Sequence, residues 1–189
     1  MLILVRHGRT AANAAGLLQG RIDPPLDAVG EEQAERIAAA LTGVRRVVSS
    51  PLQRARQTAL RISSTIEIDD RWQEISYGIY EGRPQAEVPA AEWERWRNDP
   101  HHCVEGGESL AALAERTQAA LLDLVRESQD HDVVVVSHVS PIKAAMAWAL
   151  GVGVDISWRC QLDQAAITRI AVSARGASLR SFNDVAHLR

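Results

Sequence analysis

Two histidines and two arginines carry the most chemistry in this sequence. His7 follows Arg6 at the end of the apolar run Leu2–Val5. His138 follows Ser137 at the end of Asp132–Val136, which holds four consecutive valines. Arg54 lies in Ser49-Ser50-Pro51-Leu52-Gln53-Arg54-Ala55, just past another apolar run. In open α/β sheets ligands bind at the C-terminal strand ends, where residues far apart in sequence become neighbours. Imidazoles and guanidiniums gathered at one rim without partnering carboxylates are costly unless an anion fills the space. Guanidinium matches phosphate through two parallel hydrogen bonds, so the cluster asks for a phosphate. The spacing of Asp and Glu gives no di-carboxylate metal cage, and the economical reading is phosphoryl chemistry without metal or other cofactor. That chemistry needs a nucleophile, charge stabilisation and a proton for the leaving alkoxide. A neutral imidazole attacks phosphorus when a hydrogen bond on its second nitrogen fixes the tautomer. Arginine stabilises the charge, and the proton comes from a carboxylic acid that keeps it near the working pH. Glu74 and Glu81, in the glycine-bearing stretch Gln73–Gly82, are the candidate acids.

The elements that must position these groups can be read from periodicity. Leu2–Val5, Val44–Ser49, Ile66–Ile68 and Asp132–Val136 read as strands, the last buried on both faces. Asp27 is a plausible N-cap for a helix that places Val29, Ala34, Ile37, Ala38 and Leu41 on one face. Pro51 opens a helix from Leu52 to about Ile62. Glu108–Gln129 is the longest helical stretch, and Pro141–Leu150 forms another. Ile167–Val172 and Ser178–Phe182 read as late strands joined by a turn at Arg175-Gly176. Between Gln73 and about Gly107 the chain is irregular and glycine- and proline-bearing, around a short helical piece at Trp93–Trp96. It reads as an insertion covering a scaffold. Strands alternating with helices imply an α/β fold with a mainly parallel sheet.

Composition narrows the field. The chain has 189 residues, 46% hydrophobic and 24% charged, which fits one soluble domain spanning residues 1–189. A net charge of -3 argues against a nucleic-acid-binding surface. Lys143 is the only lysine among 21 basic residues. The five residues before Arg6 are too few for a signal peptide, and the longest apolar run, Ala144–Val154, falls short of the roughly 20 residues of a membrane span. Cys103 and Cys160 lie far apart, with neither metal-ligand nor disulfide-framework spacing. A cytoplasmic protein with no membrane partner is expected.

In five segments, in order, the sequence resembles the histidine phosphatase superfamily, whose fold is phosphoglycerate-mutase-like. Arg6-His7-Gly8 resembles the triplet that bears the phosphorylated histidine. Gly20, Pro25-Leu26 and Gly30 follow in the family's order, with Asn13 where the family has an asparagine. Ser49 to Ala59 resembles the segment with the second phosphate-binding arginine. Glu74 to Gly82 resembles the segment whose first glutamate is the proton donor. Val136-Ser137-His138 resembles the second histidine segment. The resemblance implies a three-layer sandwich, a mainly parallel central sheet flanked by helices. It implies that His7 becomes phosphohistidine, that Arg6, Arg54 and His138 clamp the phosphoryl oxygens with Asn13 and Gly20 assisting, and that Glu74 is the acid. Two departures stand out: Arg9 where the family usually has Glu or Gln, and Val139 where most members have Gly. In these the chain is more similar to the cobalamin-pathway and acid-phosphatase branch than to the glycolytic mutases.

The implied activity is hydrolysis of a small phosphorylated metabolite at an acidic to neutral optimum, without metal. A mutase-type phosphotransferase and a non-catalytic phosphate-binding domain are the alternatives. The mutases it resembles are longer over the site, and a non-catalytic relative is expected to have lost the nucleophile or the acid. Candidate substrates include α-ribazole phosphate, sugar phosphates, phosphoglycerate derivatives and phosphorylated nucleosides. Arg56 competes with Arg54 for the second phosphate position. Arg9 either adds a cation at the mouth or points to solvent. Trp93 and Trp96 pack a small helix or line the entrance. His101-His102-Cys103 offers metal-ligating types, but the spacing is tight and no partner pair is evident; His187 reads as a C-terminal packing residue.

Overall fold

A computed structural model describes the whole chain, residues 1–189. The strands are β1 (Leu2–Arg6), β2 (Arg46–Ser49), β3 (Glu67–Ile68), β4 (Val133–Ser137), β5 (Ile167–Ser173) and β6 (Gly176–Asp184). The helices are α1 (Ala11–Ala14), α2 (Ala28–Ala40), α3 (Gln53–Ile62), α4 (Ala90–Asn98), α5 (Leu110–Val125), α6 (Glu127–Asp130) and α7 (Val139–Leu150). One six-stranded sheet runs in the order β3-β2-β4-β1-β5-β6. β1, β2, β3 and β4 pair in parallel, and β5 and β6 add an antiparallel edge.

Side chains alternate across a strand, and here the alternation divides two hydrophobic cores. Leu2, Leu4, Val133 and Val135 pack with Leu121 of α5 and Ile142 of α7. Ile3, Val5, Val134 and Val136 pack with Ile37 of α2 and Ala55 of α3. The result is the expected three-layer sandwich. No helix is long and apolar enough to cross a membrane.

Several boundaries differ from the sequence expectation. Val29 is exposed and lies off the buried face of α2, beside the Asp27 cap whose side chain accepts from the Gly30 N–H. Pro51 precedes the helix: Leu52 stays extended and α3 begins at Gln53, whose N–H donates to Asp23. α5 starts later than Glu108 because Ser109 caps it. α7 starts two residues before Pro141, with His138 as its extended N-cap residue. The piece around Trp93–Trp96 grows into α4. A run of 3-10 helix at Val154–Arg159 has no counterpart in the sequence reading. The irregular stretch holds a small core of its own, where Val88 and Trp96 meet Leu18.

Candidate active site

The strand order explains why distant residues meet. β4 lies between β1 and β2, with Arg6 opposite Ser137 and Ser49 opposite Val136. His7 and His138 are therefore adjacent strand-end residues, with ring centroids 5.0 Å apart. The first turn of α3 brings Arg54 to the same edge, where its Nε donates to His7 Nε2 at 3.3 Å.

His7 is buried, and its Nδ1 lies 2.7 Å from the Gly8 carbonyl. A carbonyl only accepts, so Nδ1 carries the proton and Nε2 keeps its lone pair. Burial, then Arg54, then Arg6 hold the His7 pKa well below the usual histidine value. The ring is a neutral base whose Nε2 lone pair faces, and accepts from, the Arg54 Nε–H.

Arg54 is buried and held on both sides, Nη1 donating to Ile22 O and Nη2 to Gly20 O, each at 2.8 Å. Gly20 has φ +51°, and a Cβ there would lie 2.2 Å from Glu81 Oε1. The carbonyl that fixes Arg54 thus depends on glycine. Arg56 is exposed, which removes it as the competing arginine. Arg6 Nη1 donates to Leu162 O at 2.6 Å, while its buried Nε has no protein partner. Burial lowers the pKa of both arginines, with Glu74 the largest opposing influence.

His138 is fully buried, its Nε2 2.8 Å from Ser50 Oγ and its Nδ1 without a protein partner. Burial, Arg54 and His7 push its pKa well down. Glu74 sits at the start of α7: Oε2 accepts from the Val139 N–H, and Oε1 from the Ser140 and Ile75 N–H groups. The first N–H groups of a helix lack partners within it, and Glu74 takes two of them. Asn13 completes a capping box with Thr10 at α1.

Arg6, His7, Asn13, Gly20, Arg54 and Glu74 line one cleft, and the His138 ring lies tilted by 59° against that of His7. The sequence-selected residues therefore converge. Glu81, the fallback acid, instead accepts from the Arg21 and Tyr77 N–H groups and the Ser76 hydroxyl, so it latches two loops together. Arg9 pairs with Asp27 at 2.8 Å rather than lining the mouth. His102 pairs with Glu92 while His101 and Cys103 are exposed. Both cysteines are free.

Sequence reading missed the supporting groups. Ser50 was visible beside Arg54, but nothing local ties it to His138. Thr58 accepts from the Gly8 N–H and donates to Arg54 O, joining α3 to the His7 loop. Tyr77, which lines the cleft, has its hydroxyl pKa raised first by burial and then by Glu74.

Fold and site define a class: an α/β protein that offers a neutral strand-end histidine and two buried arginines to an anion. Within that class, the chain belongs to the histidine phosphatase superfamily (branch 1), whose profile matches residues 2–185. It is 34% identical to phosphoserine phosphatase 1 of Hydrogenobacter thermophilus, over 99% of this chain and 93% of that protein. It superposes at TM-score 0.92 on a mutant Entamoeba histolytica phosphoserine phosphatase solved with phosphoserine, at 29% identity, covering 100% and 98% of the two chains. A mycobacterial glucosyl-3-phosphoglycerate phosphatase solved with VO3 superposes at 0.87, at 27% identity, covering 96% and 98%. The profile match is to branch 1 as a whole, and the narrower likeness to cobalamin-pathway enzymes rests on the sequence around Arg9 and Val139.

Proposed function

We propose that the protein hydrolyses a small phosphomonoester through a phosphohistidine on His7. The observation that carries this is the fixed tautomer: Nδ1–H bonded to the Gly8 carbonyl, leaving the Nε2 lone pair at Arg54. In the first step Nε2 attacks phosphorus, the P–O bond to the alcohol breaks, and Glu74 gives its proton to the departing oxygen. In the second step the Glu74 carboxylate takes a proton from water, the hydroxide attacks phosphorus, and the P–N bond breaks to release phosphate. Arg6, Arg54 and His138 hold the equatorial oxygens in both steps, a charge stabilisation that works best in a site poor in water. The unpartnered nitrogens of Arg6 and His138 support their assignment to the phosphate. Asn13 and Gly20 border it. The reading needs no metal and no cofactor.

Residues 73–107 act as a cover on a single domain, and so short a cover leaves water access to the phosphohistidine, which favours hydrolysis over transfer to a second substrate. The named relatives act on phosphoserine and glucosyl-3-phosphoglycerate, which supports a small phosphorylated metabolite here. The test is phosphate release from p-nitrophenyl phosphate in EDTA by wild type and His7→Ala. Turnover that resists chelation and disappears in the variant is expected. Equal turnover by both proteins would remove His7 from the mechanism.

A further inference from the structure

A second cavity adjoins the cleft at His7, with Tyr77 and Val139 lining both. The acid stands at the junction. Its carboxyl is held by the Val139 and Ser140 N–H groups, and both residues line the second cavity. A leaving oxygen protonated by Glu74 therefore lies next to the residues that line that cavity.

The walls say what the alcohol carries. Trp96 and Trp158 face the cavity, the first from the cover and the second from the 3-10 segment. Two charged side chains line it, Glu108 and Lys143. Glu108 is already neutralised, accepting from Arg116 at 2.7 Å and from Arg21 at 3.2 Å. Lys143, the single lysine of the chain, forms no ion pair. Its Nζ donates to Ser157 O at 2.9 Å, which uses one of three donors. Burial lowers its pKa, only partly offset by Cys160 and Glu74.

We infer that this second cavity is the leaving-group subsite, and that it takes an alcohol with a planar or apolar body bearing a carboxylate that pairs with Lys143. The inference rests on the phosphatase reading above. One cation suits one negative charge. A second phosphoryl group, carrying nearly two charges, asks for paired free guanidiniums such as those at the His7 cleft; Arg21 and Arg116 beside this cavity are taken up by Glu108.

The test compares kcat/KM for phenyl phosphate with that for 3-carboxyphenyl and 4-carboxyphenyl phosphate. Wild type should prefer at least one carboxylated ester by about tenfold or more, the scale of a hydrogen bond to a charged group. In Lys143→Met the ratio of carboxylated to neutral ester should fall to about one, through KM, and Lys143→Arg should keep part of it. A wild-type ratio near one for both isomers, or a ratio unchanged in Lys143→Met, overturns the subsite. His7→Ala separates the two readings: turnover of all three esters by that variant overturns the phosphatase reading, whereas its loss together with an unchanged Lys143→Met ratio overturns the subsite alone.

Discussion

An imidazole flanked by two guanidiniums sheds its proton at a pH where a free one would keep it. For His7 the causes rank burial first, Arg54 second and Arg6 third. The nucleophile therefore stays neutral well into the acid range, and on that side its protonation does not limit the rate until far below the ordinary histidine value. The expected kcat/KM profile therefore holds through mildly acidic pH, and an acid limb at the ordinary histidine value would contradict a nucleophile held neutral by its surroundings. Arg54→Ala should cost about 3–4 kcal/mol of transition-state stabilisation, a rate loss of two to three powers of ten. It should also move the acid limb upward, because the second cause of the His7 shift is gone. A loss under about tenfold would place Arg54 outside the transition state. Ser50→Ala tests the support beneath: it leaves His138 Nε2 buried and unpaired, and urea unfolding should register about 1–3 kcal/mol of lost stability.

Strand ends deliver the site, and helix starts hold it. A Cβ added at Gly30, in the first turn of α2, would lie 2.0 Å from Arg9 O, and one at Gly8 would lie 2.4 Å from Gly30 O. The turn after β1 thus rests directly on the α2 backbone. Gly30→Ala should cost about 1–3 kcal/mol by overpacking and lower kcat as well, because the displaced turn carries His7. A urea midpoint unchanged within error would show that the turn has room. The strands β1 and β4 were legible because continuous apolar runs mark strands buried on both faces, and His7 and His138 follow those runs directly. The helix starts were less legible. α3 begins at Gln53 because Asp23, thirty residues earlier, accepts its N–H, and α7 begins at Val139 because Glu74 accepts the first two. Those partners are chosen by the tertiary fold, and local periodicity carries no trace of them. Val29 was misjudged for a related reason: its helical phase suited the core, but it sits beside the cap, where α2 is still entering the layer.

At the scale of the molecule, two cores grip the sheet and the polar site occupies the edge between them. Arg6, His7 and His138 were legible because the chain presents them at strand ends. The second cavity was not, because its walls come from segments near 77, 96, 139–143 and 158 that only the folded chain brings together. Lys143 did leave a trace, as the one lysine in an arginine-rich sequence, but its position was uninformative without the cavity. Burying two histidines at this edge has a consequence for the whole fold. Both have folded-state pKa values depressed below the usual 6.5. Between the depressed values and 6.5 the unfolded chain binds protons that the native protein refuses, so stability is full above about 6.5 and declines as pH falls. With both rings contributing, the slope approaches about 2.7 kcal/mol per pH unit. Asp69, Asp163 and Asp184 are also depressed, from 3.8, so their stability is lost in a separate window below that value. Urea unfolding at pH 7.5, 6 and 5 should therefore show a loss that begins near 6.5, ahead of the carboxylates. His138→Gln should remove a large part of that loss while lowering stability at pH 7.5, the rest coming from His7 and from His187, which burial also depresses. Constant stability from pH 7.5 to 5 would mean that both rings take up protons in the native state, and a nucleophile held neutral by its surroundings would then be ruled out.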